Sequence, residues 1–226
     1  MKSHTDKMDI LRKLASLSSK ENIRIRGPVN SSNSLEAVVE GILKESAELL
    51  SPDQGLKNVI RSMDDTMPMG ETSDKSYYIP QPLGSQSFPD FVLLIPTYDN
   101  AYLILYIECK SSSNGTPVWN CTYPKRMPNV IYVINRTADG SIIVMNGNDA
   151  ISEKDYLLLK QFDSKIEEWK KVVEEYNKNI GAFYYYPRNM YTQRSKYDFT
   201  KSYDVTSYSS ISALILLTSW QQLSNS

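Results

Sequence analysis

Asp90, Glu108 and Lys110 are the residues of this 226-residue sequence whose types and spacing are best suited to chemistry. Glu108 and Lys110 end an otherwise apolar run that begins at Tyr102. Charged side chains are rarely buried unless paired or bound to a metal ion, because removing them from water is costly. Alternation along a strand puts Glu108 and Lys110 on one face and Cys109 on the other. A second apolar run, Phe91-Val-Leu-Leu-Ile95, stands before the turn-forming residues Thr97–Asn100. Folding the two runs as a hairpin about that turn brings Asp90 opposite Ile107, Glu108 or Cys109, depending on turn length. Two carboxylates and the Cys109 backbone carbonyl at such a point offer the oxygen ligands that Mg²⁺ requires. A metal so placed binds a phosphate, acidifies a water and stabilises a leaving oxygen. Lys110 is positioned to orient that water or to neutralise charge building on the phosphate.

Other chemistries are excluded by composition. His4 is the only histidine, and it lies outside any patterned segment, so triads and His-bound metal centres are ruled out. Cys109 and Cys121 form no Cys-x-x-Cys pair and no disulfide framework. The formal net charge is −1, but residues 1–26 hold seven Lys or Arg against three acids. The stretch from Gly181 to Lys201 holds Arg188, Arg194, Lys196 and Lys201 against Asp198 alone. Local basic arms around a carboxylate cluster suit a nucleic-acid partner. The longest purely apolar stretch, Ala213–Leu217, is too short to cross a bilayer, and Met-Lys-Ser-His-Thr-Asp at the start offers no export signal. The expectation is a soluble, cytoplasmic protein with no membrane partner.

The elements that must position the site follow from periodicity. The spacing predicts a first helix over 6–17, with Met8, Ile10, Leu11, Leu14 and Leu17 on its apolar side. A basic loop, Arg24-Ile-Arg-Gly-Pro28, comes next. Ser34 is expected to cap a helix reaching about Leu50, with Leu35, Val38, Val39, Ile42 and Leu43 inward. Pro52 is expected at the first position of a short helix through Met63, and residues 64–88 are expected to be loop. Strands are predicted at 91–95, 102–110, 130–134 and 141–145. A long helix is predicted from Ser152 to about Asn179, with Leu158, Phe162, Ile166, Trp169, Val172, Val173 and Tyr176 inward and Gly181 ending it. A last helix is expected near 210–221. The fold class is α/β, with a central mixed sheet flanked by helices in a single domain over 1–226. Within it, 1–30 is an N-terminal helix and basic loop, 34–180 the catalytic core, and 181–226 a tyrosine-rich C-terminal part.

Pro89-Asp90, an apolar hairpin, then Glu108-Cys109-Lys110 resembles the PD-(D/E)XK nuclease superfamily. In size and layout the chain is similar to its type II restriction endonucleases. The motif covers residues 89–110, and the order of helices around it extends the likeness over most of the chain. The resemblance implies a restriction-endonuclease-like fold, with Asp90 and Glu108 ligating Mg²⁺ and Lys110 assisting the attacking water. Many members add an acid from a helix before the hairpin. Glu36 lies at the border of the apolar stripe beside Leu43, whereas Glu40 points further towards solvent, so Glu36 is the candidate.

The segment after the site, Ser111–Arg126, mixes hydroxyls, amides, an aromatic and two cations. Ser111, Ser112 and Asn114 could hold backbone phosphates, and Asn120, Thr122 and Lys125 could reach base edges. Trp119 could contact a base or pack under the loop. The tyrosine-rich tract from Phe183 to Lys201 places Arg188, Arg194 and Lys196 for phosphates. The expected function is Mg²⁺-dependent hydrolysis of double-stranded DNA at a short specific sequence. The alternatives are a structure-selective repair or recombination nuclease of the same superfamily and a non-cleaving DNA-binding protein on this fold. A homodimer is expected because one Asp90/Glu108/Lys110 set attacks one strand at a time. Leu11 and Leu14 of the first helix and the tyrosine-rich tail are the candidate contacts.

Overall fold

The computed structural model describes residues 4–18, 32–68, 75–85, 87–97, 100–120, 123–181, 183–185, 190–201 and 203. The hairpin is its centre. β4 (Phe91–Pro96) and β5 (Ala101–Ser112) pair antiparallel, with Phe91 opposite Ile107 and Leu93 opposite Leu105. Every residue of β4 and residues 102–109 of β5 are buried, so β-branched and aromatic side chains fill both faces. The turn is held by the Thr97 N–H, which donates to the Ala101 carbonyl at 2.8 Å, and Asn100 takes the left-handed conformation at φ 57°.

Around the hairpin a seven-stranded mixed sheet is built. β3 (Tyr77–Pro80) pairs antiparallel with β4, and β1 (Glu48–Leu49) pairs parallel with β3. On the other side β7 (Val130–Arg136) runs parallel to β5, with Glu108 level with Tyr132, and β8 (Ser141–Asn146) pairs antiparallel with β7. β2 (Thr66–Pro68) pairs with the start of β5. β6 (Val118–Asn120) and β9 (Met190–Thr192) form a separate two-stranded sheet.

Helices flank both faces. α1 (His4–Ala15) and α2 (Ser32–Ser46) bury Ile10, Leu11, Leu14, Leu35, Val39 and Leu43 against the odd-numbered residues of the hairpin. α3 (Gln54–Ser62) buries Leu56 and Ile60 on the even-numbered side, with Trp119. The connection into β7 is pinned by α4 (Gly147–Ala150): a Cβ on Gly147 would sit 2.3 Å from the Lys125 carbonyl, so only glycine fits there. α5 (Glu153–Asn177) is capped by Ser152, whose hydroxyl accepts the Asp155 N–H. No helix among the described residues is long and apolar enough to cross a membrane.

The α/β architecture and mixed sheet agree with the sequence, but several boundaries move. α2 stops at Ser46 because Glu48 and Leu49 pair with Tyr77 and Tyr78 instead of continuing the helix. Asp53, not Pro52, opens α3: its carboxylate accepts the Leu56 N–H at 2.7 Å. Residues 64–88 are not simply loop, since β2 and β3 lie within them. α5 ends at Asn177 before Gly181 is reached, and none of its residues is buried, so Leu158, Phe162, Trp169, Val172 and Tyr176 do not pack inward. Leu11 and Leu14 are wholly buried in the core and offer no dimer contact. The basic loop 24–28, the tail helix at 210–221, Cys121, Thr122 and Arg188 lie outside the described residues.

The packing makes a direct prediction. Leu105→Ala empties a fully buried position between the helices and the sheet and should cost about 2–5 kcal/mol in urea unfolding. Tyr106→Phe removes only the hydroxyl that donates to the Asp64 carbonyl at 2.7 Å and should cost about 1 kcal/mol.

Candidate active site

The hairpin register that places Phe91 opposite Ile107 brings Asp90, one residue before β4, level with Glu108. Side chain and backbone lock them together. The Asp90 N–H donates to Glu108 Oε2 at 3.2 Å, and the Cys109 N–H donates to Asp90 Oδ2 at 2.7 Å. Each carboxylate is thus held by the backbone of the other's strand. Lys110 Nζ donates to Glu108 Oε1 in an ion pair, and its own side chain stays partly accessible at the sheet's end. The Gln81 N–H donates to the Asp90 carbonyl at 2.6 Å and fixes the approach to the hairpin.

Electrostatics follow from burial. Glu108 is 5% exposed. Burial, opposed by Lys110 and reinforced by Asp90, pushes its carboxyl up to about 7. Burial also raises Asp90, against the Cys109 N–H and Lys110. Burial pulls Lys110 down, but Glu108 and Asp90 outweigh it and leave the ammonium above its ordinary range. Glu36, half-buried on α2, belongs to the same group. Its carboxyl is raised by burial first and by Asp90 second, with Lys110 and a hydrogen bond to Gln81 opposing. Glu40 is turned away and pairs with Lys44 at 3.0 Å.

The residues named from the sequence therefore divide. Asp90, Glu108 and Lys110 come together at one end of the sheet, with Glu36 on α2 near enough to feel Asp90 and Lys110 electrostatically. The Cys109 backbone binds Asp90 while its thiol is buried on the opposite face. Trp119 is 3% exposed and packs edge-on against Tyr132 at 5.2 Å, which is core packing and not base contact. Its ring also lies 5.9 Å from Lys110 Nζ, so it forms one wall of the site. Ser111 does not present its hydroxyl to phosphates: the oxygen is buried without a partner among the described residues. Ser112 and Asn114 bond each other at 2.9 Å and the Thr116 N–H at 3.0 Å, closing a turn within the loop. Asn120 is in β6, and its side chain lies outside the described residues. Lys125 is half-buried over the Tyr123 ring, and burial lowers its ammonium. Arg194 and Lys196 are exposed and line a cavity of about 720 Å³ that Trp119 also borders. Gln81 was not legible as a site residue, because nothing in 64–88 marked β3 as the hairpin's neighbour.

The donor set fits a hard cation only in part. Among the described residues no three Asp, Glu, His or Cys side chains converge as a complete cage. Asp90, Glu108 and the Cys109 carbonyl supply three oxygens, and Mg²⁺ characteristically takes one or two carboxylates together with waters and substrate phosphate oxygens. Comparison with protein-family models, curated proteins and solved structures found no match.

Glu108 also sets a pH dependence. Its folded-state pKa lies above the ordinary carboxylate value, so the folded chain binds this proton more tightly than the unfolded chain does. The metal-free protein should lose stability as pH rises from the ordinary carboxylate range through about 7. Glu108→Gln, neutral throughout, should flatten that part of the profile. Urea titrations in EDTA at pH 5.5 and 8 measure it, and an unchanged slope in Glu108→Gln would assign the dependence to another group.

Proposed function

We propose that the protein is a Mg²⁺-dependent endonuclease that hydrolyses double-stranded DNA at a short specific sequence, as type II restriction endonucleases do. The observation that carries this reading is the placement of Asp90 directly across the hairpin from Glu108, with Lys110 beside them at the open end of the sheet. Two partly desolvated carboxylates held against one lysine leave a local excess of negative charge, and Glu36 adds to it. Such a group is costly unless a cation offsets it. Mg²⁺ bound by Asp90, Glu108 and the Cys109 carbonyl would polarise the scissile phosphate and make a water nucleophilic.

The chain's own groups supply the rest. Lys110 holds the attacking water, or the phosphate oxygen beside it, while Glu108 fixes where the Lys110 ammonium sits. In the hydrolysis the water oxygen forms a new bond to phosphorus, one P–O ester bond breaks, and the departing oxygen takes up a proton. Asp90 is kept in place by the Cys109 N–H, which bonds Oδ2, and its carboxylate would be one of the groups to hold the metal. Arg194 and Lys196, beyond Trp119, are placed to neutralise backbone phosphates. One observation favours a second reading: the close Lys110–Glu108 pair would serve equally well as a permanent neutralisation in a DNA-binding protein that does not cut.

Digestion of a sequenced plasmid with purified protein and Mg²⁺ separates these readings. Discrete bands are expected. A smear would indicate a structure-selective nuclease of the same chemistry, and intact plasmid would leave only the binding protein. Asp90→Asn and Glu108→Gln should abolish cleavage while still binding DNA, and Ca²⁺ should support binding without cutting. Lys110→Ala should slow single-turnover cleavage on the order of a hundredfold or more, with little change in affinity. If it lost binding and kept its rate, Lys110 would be a phosphate clamp.

Glu36 and Glu40 give a separate prediction. Glu36→Ala, which removes a carboxylate coupled to Asp90 and Lys110, should impair cleavage on the order of tenfold or more. Glu40→Ala, which only frees Lys44, should leave the rate unchanged. Equal rates in the two variants would confine the site to the hairpin.

A further inference from the structure

The feature least explained by the site is α5. It has 25 residues, about 37 Å at 1.5 Å per residue, and not one is buried. Its half-buried row, Leu159, Ile166 and Val173, faces the rest of the chain. Beside that row runs a second one left open to water: Leu158 is 52% exposed, Phe162 56%, Trp169 47%, Val172 48% and Tyr176 69%. With Lys165 these residues recur at alternating spacings of four and three, the seam of a two-helix coiled coil. After the helix, Tyr185 packs edge-on against Trp169 and widens the patch without closing it. Isolated exposed hydrophobics need no explanation, but a continuous stripe of this length does.

We propose that this stripe is the contact between two copies of the chain, packed antiparallel through α5. The row is self-complementary in that direction. About a two-fold axis level with Glu167, Phe162 meets Val172 of the partner subunit, and Leu158 meets Tyr176 of the partner subunit. Large side chains oppose small ones, as interdigitating cores require. The one cation in the row, Lys165, meets Trp169 of the partner subunit, the ring type that best accepts an ammonium. Lys165 already pairs with Glu168 at 3.1 Å, and the axis brings Glu168 of the partner subunit alongside, so cations and carboxylates alternate across the seam. A parallel pairing would instead stack Lys165 on Lys165 of the partner subunit. The area is sufficient: roughly half-exposed large side chains each contribute on the order of 100 Å². The row then buries about 1,000 Å² over both subunits, which meets the lower bound for a specific interface. The inference concerns assembly alone and stands whether or not the hairpin site cuts DNA.

Sedimentation of the full chain without DNA, from about 1 to 100 μM, tests it. A reversible monomer–dimer equilibrium in the micromolar range is expected. Trp169→Asp and Val172→Asp, both on exposed positions, should weaken it on the order of a hundredfold while leaving circular dichroism and melting of the monomer unchanged. Val172→Cys combined with Phe162→Cys should give a disulfide-linked dimer on mild oxidation, with residue 162 joined to residue 172. A dimer insensitive to both aspartate variants would overturn the proposal, as would cross-links only between identical positions. A strict monomer would overturn it too. A monomer whose stripe is shielded from an apolar dye would show that another part of this chain covers the face.

Discussion

A carboxylate held away from water at the end of an apolar strand is the constraint on which the rest of this molecule depends. Glu108 cannot be neutralised by solvent, so its surroundings are arranged to hold it: the Asp90 N–H and the Lys110 ammonium. Such an arrangement requires a rigid frame. The hairpin supplies it by burying both faces, α1 and α2 on one side, α3 and Trp119 on the other. Were the even-numbered face open, Glu108 would be solvated and Lys110 would become an ordinary surface cation worth little.

The same constraint divides the chain into a part that packs and a part that does not. Among the described residues up to Ala150, most apolar side chains pack on the two faces of the sheet, Leu49 and Val118 being exposed exceptions. From Ser152 onward no side chain of α5 is fully buried and most of its large apolar ones stay exposed, although their spacing is as regular as that of α2. The periodicity of a helix states that one face is apolar, not what will cover it. That ambiguity explains why the inward residues of α2 were legible in the sequence, whereas of those expected inward on α5 only Ile166 and Val173 are half-buried.

The hairpin could be read because strand alternation and a short turn leave few possibilities. That reasoning left Asp90 opposite Ile107, Glu108 or Cys109, and the observed pairing of Phe91 with Ile107 selects Glu108. Glu36 was placed by the angle of a helical wheel, and its electrostatic coupling to Asp90 agrees with that placement. Less was legible where contacts are distant in sequence. β1 and β3 are short, and each is a strand only because a partner lies beside it, so neither carries a local signature. The Ser111 hydroxyl is buried where β5 lies beside β7, and Trp119 is buried against Tyr132 of β7, while β6 itself is paired by β9, which returns from residue 190. Those facts belong to topology and not to the loop that carries the residues.

The turn closed by Thr97 and Asn100 acts as a ruler for chemistry that takes place far from it. One residue inserted between 90 and 108 would slip the pairing by one and send Asp90 to the face opposite Glu108. Between 113 and 129, by contrast, the chain crosses from one parallel strand to the next, and within it only β6 is held by a ladder of hydrogen bonds, to β9 and not to the hairpin. Length variation should therefore be better tolerated after the site, at exposed positions between Ser112 and β6, than between the two carboxylates, whose spacing stays fixed.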